Sequence, residues 1–407
     1  MPTVLATGDL RGEIKPCGCS PEGQFGGLPR LLTFVQQTRG ASPQPVLVNL
    51  GNNFPAPSDQ GRLKVELTQT VLRALPPDAI LPGPNELALG AEALDAALPY
   101  VASNDRVGRV FRPRVQVRRA GRTIGIYGYL SPSLVYQGSQ TRFALEPVTP
   151  AWLQRLRAES DAAGDELRLL LFRGNDEELA ILADAQVFTR IVGGNPFDDE
   201  LHQVLTRQVG AQTVAQVPTK GQGVLRMPLG VGPAQVEWLG ERYADHPRAV
   251  AAMSVYDEQV KQLFFRQMEQ LQRAQSAAVF AGVATCEPCH KPIVQLWSAS
   301  GHARAHAVLV GAGKQFDPEC LACHVVGLGS GGYINQTVTP QLANVQCENC
   351  HGPGIAHNGN PAAVKPRPAV PAAQNPLRPG EATCRTCHRG SHSPKFDFPT
   401  YWAKIKH

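Results

Sequence analysis

Cys286-Glu287-Pro288-Cys289-His290, Cys320-Leu321-Ala322-Cys323-His324, Cys347-Glu348-Asn349-Cys350-His351 and Cys384-Arg385-Thr386-Cys387-His388 are four copies of one pentapeptide in a chain of 407 residues. Each reads as a c-type haem attachment site. The two thiols form thioethers with the two vinyl groups of one haem, and the adjacent imidazole reaches the iron from one face. Paired Cys-x-x-Cys motifs also build zinc ribbons. A ribbon does not need a histidine directly after the second cysteine, and here all four copies have one. The expected cofactors are therefore four covalently attached c-type haems. Cys286, Cys289, Cys320, Cys323, Cys347, Cys350, Cys384 and Cys387 would attach them, and His290, His324, His351 and His388 would be the first iron ligands.

The second ligand decides what each iron does. An iron with two imidazoles is full and suits electron transfer; an iron with one keeps a position for a small molecule. The spare histidines in this part are His302, His306, His357, His392 and His407. Five candidates face four irons, so full ligation is possible by count. The alternative for each is a surface imidazole or one bonded to a propionate. Four haems in so short a stretch replace much of the side-chain core, so residues 283–407 are expected to be mainly α and rich in loops. The Pro- and Ala-rich stretch from Pro361 to Pro379 reads as an extended strap or a surface loop. Arg304, Lys365, Arg367 and Arg378 could pair with propionates.

Composition bounds the rest. The formal charge is +5, with 43% hydrophobic and 18% charged residues. Four ferric haems at roughly −1 each bring the loaded protein to about +1. With no basic stripe carrying interleaved aromatics, nucleic acid is not an expected partner. Eight of the ten cysteines lie in the motifs, which leaves Cys17 and Cys19 and excludes a disulfide scaffold. That pair reads as structural, with a soft-metal or redox role as the alternative. No apolar run has transmembrane length. Met1-Pro2-Thr3 leads directly into a strand-like stretch, yet covalent haem attachment takes place outside the bacterial cytoplasm. The expectation is a periplasmic or extracellular protein whose leader has been removed, with membrane association through a lost anchor left open.

Residues 1–240 alternate strand-like and helix-like stretches, which predicts an α/β domain with a largely parallel sheet. Strands are expected at Val4–Ala6, Val46–Val48, Ala79–Leu81, Tyr100–Ala102, Leu167–Phe172 and Arg190–Val192. A hairpin is expected around Ala120-Gly121, and helices at Leu28–Thr38, Leu63–Leu75, Glu86–Leu98 and near Glu177–Ala183. Residues 241–282 read as a linker. Asp245-His246-Pro247 forms a turn, and a helix from Tyr256 carries Val260, Leu263, Phe264, Met268 and Leu271 at helical spacing. His202 and His246 receive no role.

The loops after the N-terminal strands are Thr7–Gly12, Asn49–Asn53, Gly83–Glu86, Ser103–Asp105 and Gly193–Pro196. In order and position they resemble the metallophosphoesterases of the 5′-nucleotidase type. The resemblance implies a sandwich fold and, where its ligands survive, a two-metal centre. Asp9 matches the first ligand, but Arg11 stands at the first histidine and Asn52 at the bridging aspartate. Pro84-Asn85-Glu86 stands at Asn-His-Glu, Arg173 or Gly174 near a lone histidine, and Asn195 in the last motif. Residues 1–201 hold no histidine at all. A shared carboxylate and several imidazoles are needed to hold two dications together, so the domain is expected to be a retired enzyme kept as a scaffold or docking surface.

The C-terminal part, over residues 283–393, resembles the cytochrome c-554 family of tetrahaem carriers. The residues are Trp297-Ser298-Ala299-Ser300-Gly301-His302-Ala303, the second Cys-Leu-Ala-Cys-His site, and His351-Gly352-Pro353-Gly354 followed by His357. The resemblance implies that His302 and His357 are second ligands, and that a late histidine, His392 or His407, is another. It also implies that the iron on His324 lacks one, unless His306 fills the seat. The expected function is electron transfer by haem-to-haem hopping between redox protein partners. The alternatives are an oxidoreductase acting on small nitrogen species at an open haem, and a subunit of a respiratory complex, homo-oligomer or extracellular filament.

Overall fold

The computed structural model describes residues 1–16, 24–40, 43–108, 110–135, 143–194, 206–274, 279–357, 379–389 and 392–407. Cys17, Cys19, Asn195, His202 and the strap expected at Pro361–Pro379, save its last residue, lie outside the described residues. The chain forms two compact units, one holding Gln24–Tyr256 with the N-terminal strand, the other holding Asp257–His407.

The first unit begins with β1 (Thr3–Thr7), α1 (Leu28–Arg39), β2 (Val46–Asn49), α2 (Asp59–Ala74), β3 (Ala79–Ile80) and α3 (Pro84–Ala88). It continues through β4 (Val115–Arg119), β5 (Arg122–Leu130), α4 (Pro150–Ala162), β6 (Leu167–Arg173), α5 (Asp176–Asp184) and β7 (Arg190–Gly193). Four more strands follow, β8 (Thr206–Val209), β9 (Gln212–Gln216), β10 (Gly223–Pro228) and β11 (Gln235–Trp238). They make two sheets, one of order β11-β10-β1-β2-β3 and one of order β4-β5-β6-β7-β9-β8.

The buried parallel strands are those whose apolar runs are continuous: every residue of β2 and β7 is buried, and all but one of β6. The sheets are nonetheless mixed rather than largely parallel, because β10 and β11 join the first sheet antiparallel and β8 pairs antiparallel with β9. These four strands escape a reading by apolar runs. β8 and β11 are mostly polar and half-exposed. The expected helix from Glu86 to Leu98 is also corrected: α3 ends at Ala88, and Gly90 takes φ +90, a left-handed value that no helix continues through. Tyr100 and Val101 make single bridges only. The hairpin stands where expected, with Ala120 and Gly121 both at positive φ between β4 and β5, as a two-residue primed turn requires.

α6 (Pro247–Ala274) is one helix of 28 residues, and the two units divide within it. His246 accepts from the backbone N–H of Arg248 through Nδ1 at 3.1 Å, which closes its first turn. In the second unit, α7 (Val283–Ala299), α8 (Ala305–Gly311), α9 (Pro318–His324), α10 (Cys347–His351), α11 (Glu381–Cys384) and α12 (Phe398–Trp402) are joined by loops. Its apolar core is small, formed by Phe264, Met268, Leu309, Leu321, Val325, Val326, Tyr333, Ile334, Leu342 and Ala343. Among the described residues no helix is long and apolar enough to cross a membrane.

A buried polar node supports the second sheet. The Asp165 carboxylate takes hydrogen bonds from Arg114 at 2.9 Å, Gln116 at 2.7 Å, Ser160 at 3.2 Å and the Tyr127 hydroxyl. Burial alone would raise its pKa; the Tyr127 and Gln116 hydrogen bonds and the Arg114 charge outweigh that and hold it below the usual carboxylate value. A depressed folded pKa contributes stability that is present above the unfolded value and lost as pH falls through the folded one. We expect the first unit to lose this contribution below about pH 4. Asp165→Asn should cost roughly 2–4 kcal/mol at neutral pH and flatten the acid limb of a urea melt followed by circular dichroism.

Candidate functional sites

Each Cys-x-x-Cys-His motif lies on a short helical turn, which brings both thiols and the histidine to one side. α7 carries the first motif and departs from helical angles at His290. The second and third motifs end α9 and fill α10, and Gly352 at φ +85 stops α10 directly after His351. The Cys286 and Cys347 thiols are hydrogen-bonded to each other, so the attachment points of the first and third motifs lie side by side; that bond raises the pKa of Cys286 and lowers that of Cys347.

Three motif histidines face a second histidine from elsewhere in the chain. The ring centres of His290 and His357 are 6.4 Å apart with planes at 22°. His388 and His302 are 6.2 Å apart at 44°, and His351 and His407 are 5.8 Å apart at 54°. Two imidazoles bound on opposite sides of one metal at about 2 Å each put their ring centres roughly 6 Å apart. The residues present therefore fit an iron between each pair. Among the described residues no three His, Cys, Asp or Glu side chains converge on a bare metal ion, as a zinc ribbon would need.

Second partners orient the rings. His324 donates Nδ1–H to the Ala305 carbonyl at 2.6 Å and His407 to the Ile405 carbonyl at 3.0 Å, which leaves Nε2 as the nitrogen that could meet a metal. Burial lowers the pKa of His302, and burial together with the His302 charge lowers that of His388. Both imidazoles are thereby kept neutral, the form that binds metal. Trp297 donates its indole N–H to the Val345 carbonyl at 2.7 Å, and Val345 donates its own N–H to the His302 carbonyl at 3.2 Å. That bracket fixes His302 beside the third motif.

Two spare histidines are placed differently. The Nε2 of buried His306 meets the Tyr333 hydroxyl at 3.2 Å, and burial followed by the nearby His324 charge lowers its pKa. His392 lies in a backbone turn, its N–H on the Arg389 carbonyl at 3.2 Å, and the late histidine opposite His351 is His407. Among the described residues His324 stands in no histidine pair. Tyr333 carries no sequence signal that marks it; only the packing brings it to His306.

In the first unit, the loops after β1, β2, β3 and β6 converge on Asp9, whose side chain is fully buried. Its carboxylate takes Asn52 Nδ2 at 2.9 Å and Arg11 Nε at 3.2 Å, and Arg173 Nη2 lies at 3.5 Å. Arg173 also donates to the Leu50 carbonyl at 2.9 Å. Glu86 accepts from the backbone N–H groups of Asn53 at 2.7 Å, Asn52 at 2.8 Å and Gly83 at 3.1 Å. Burial raises its pKa in spite of those bonds. Asp9, Arg11 and Asn52 all have positive φ, an uncommon backbone for such residues that marks a constrained loop cluster. Asn104 is buried and donates to the Leu130 and Glu146 carbonyls.

Residues 285–352 match the family model described as cytochrome c554 and c-prime. Cytochrome c-554 of Nitrosomonas europaea is 35% identical over 99 residues, covering 20% of this chain and 42% of that protein, so the chain spans about two-fifths of the curated relative it matches. That segment is similar to the cytochrome c554 type, a family that implies covalently bound c-type haem. The N-terminal part has the metallophosphoesterase fold. It resembles a Thermus thermophilus sulfate thiohydrolase in complex with glycerol, with TM-score 0.52, 14% identity, 62% of this chain and 60% of that one. It also resembles a 5′-nucleotidase precursor from Thermus thermophilus, with TM-score 0.52, 19% identity, 69% of this chain and 61% of that one.

The residues present do not fit that fold family's metal centre. Arg11 and Arg173 bring two cationic guanidiniums to buried Asp9, where a dication would meet like charge. We expect the melting temperature of the first unit to be unmoved by EDTA or by added Mn²⁺. Arg173→Ala should destabilise it by roughly 2–4 kcal/mol, because it leaves a buried carboxylate short of a partner. A melting temperature raised by Mn²⁺ in the unaltered protein would show a working metal site.

Proposed function

We propose that this protein carries electrons outside the cytoplasm along four covalently attached haems, and that its phosphoesterase-like unit is inactive and serves docking or assembly. The observation that supports it best is the set of three histidine pairs, each joining a motif histidine to a distant one at a spacing that fits one iron. Cys286, Cys289, Cys320, Cys323, Cys347, Cys350, Cys384 and Cys387 hold the haems by thioether bonds. His290 with His357, His388 with His302, and His351 with His407 hold three irons from both faces. Bound there, the haems supply one-electron carriers whose potentials the protein tunes. Two imidazoles per iron would exclude small ligands, and the adjacent positions of Cys286 and Cys347 would bring the first and third sites into close range. Redox proteins are the partners this reading calls for.

One observation favours a second reading for one site. His324 has its Nδ1–H fixed by Ala305 and makes no ring contact with another histidine among the described residues, while Tyr333 holds the nearby His306. An iron on His324 would keep a position open for a small molecule such as a nitrogen oxide, the geometry of an oxidoreductase.

Electron paramagnetic resonance of the oxidised protein tests both readings. Four haems per chain are expected, three low-spin and one high-spin, with nitric oxide consuming only the high-spin signal. Replacing His357, His302 or His407 with Ala should each convert one low-spin haem to high-spin, whereas His392→Ala should convert none. Four low-spin haems indifferent to nitric oxide would sink the open-site reading and keep the carrier. A protein that loads no haem c would sink both.

A further inference from the structure

The two residues between the cysteines of the third motif are Glu348 and Asn349, and both are buried. A spacer inside a haem motif has no reason to be buried and charged. Glu348 accepts from Ala281 N–H at 2.9 Å and Gly282 N–H at 2.8 Å, immediately before α7. Oε1, the oxygen that takes Ala281, also accepts from Gly354 N–H at 2.6 Å. Gly354 opens the turn that ends at His357, whose N–H bonds the Gly354 carbonyl at 2.9 Å. One carboxylate therefore holds the start of the helix that carries His290 and the start of the turn that carries His357. Its neighbours continue the clamp. Gln346 accepts from Val283 N–H at 2.6 Å, and Asn349 donates to the Val325 carbonyl, next to His324, at 2.9 Å.

Resting on the haem reading above, we propose that Glu348 is a positioning residue for the first haem site, setting the spacing and mutual tilt of His290 and His357. The chemistry explains the residue type. Three backbone donors meet at one side chain, and only an ionised carboxylate offers acceptors to all of them without presenting a donor of its own. A glutamine would turn an amide N–H₂ toward at least one backbone N–H. Neither His290 nor His357 can hold the other in place, because they come from segments some 67 positions apart in the sequence. The angle between two axial imidazole planes shapes the low-spin signal of the iron they share, so this site has a spectroscopic readout of its own.

The test compares full-length holoprotein of the unaltered chain, Glu348→Gln, Glu348→Asp and His357→Ala, by electron paramagnetic resonance and redox titration. His357→Ala identifies the low-spin signal of the first site; if it removes none, the haem reading itself fails. Glu348→Gln should shift or broaden that same signal, with part of it turning high-spin, and should move one midpoint potential while the other low-spin signals stay. Glu348→Asp keeps the charge but shortens the reach, and should give the same loss of signal. If Glu348→Asp behaves as the unaltered protein while Glu348→Gln does not, charge rather than position matters and the proposal is overturned. Unchanged spectra in both variants overturn it too. If neither variant loads four haems, or every signal shifts together, Glu348 supports the whole unit instead, and the specific assignment is wrong.

Discussion

An iron held by two imidazoles imposes one constraint on the chain: two rings must face each other with their centres roughly 6 Å apart. Three histidine pairs in the second unit have that spacing. The motif histidine comes with its cysteines, so its place is set locally. The opposing ring is always remote, and His302, His357 and His407 come from three different segments. The small apolar core of this unit does not by itself account for such placement. Polar clamps do much of it. Trp297 and the His302 carbonyl bracket Val345, Ala305 fixes the His324 ring, and Glu348 ties the start of α7 to Gly354. Hydrogen bonds are directional where apolar burial is not, which suits them to aiming rings.

The first unit shows how a constrained loop cluster accommodates buried carboxylates. Asp9, Arg11 and Asn52 all take positive φ. Buried Asp9 is met by the guanidinium groups of Arg11, in the loop after β1, and of Arg173, at the end of β6. A buried charge without a partner is costly, so such a carboxylate demands a cation or strong donors. Here the cation is built into the chain. Glu86 meets the same problem with backbone N–H groups from the loop after β2. Both solutions join the loops to one another.

Parts of both units were legible in the chain alone because their signals are local. The pentapeptide carries its own chemistry in five residues. The buried parallel strands β2, β6 and β7 show as short apolar runs, and Ala120-Gly121 shows as a primed turn. The misses have equally physical causes. The polar, half-exposed strands β8 and β11 are stabilised by pairing with distant strands, which no local pattern reports. The helix from Glu86 was read too long because one residue, Gly90, ends it by its backbone angle.

The sequence by itself determined the cofactor chemistry, the α/β character of the first unit and the absence of the ligands a two-metal centre needs, since each follows from which residue types stand at which spacing. Only the tertiary structure decided which histidine faces which: that His407 rather than His392 stands opposite His351, that His306 turns to Tyr333, and that Arg11 and Arg173 meet at Asp9. The reason is the same in each case. A side chain's identity is local, but its partner is chosen by how segments far apart in the chain pack, and spacing along the sequence carries no record of that distance.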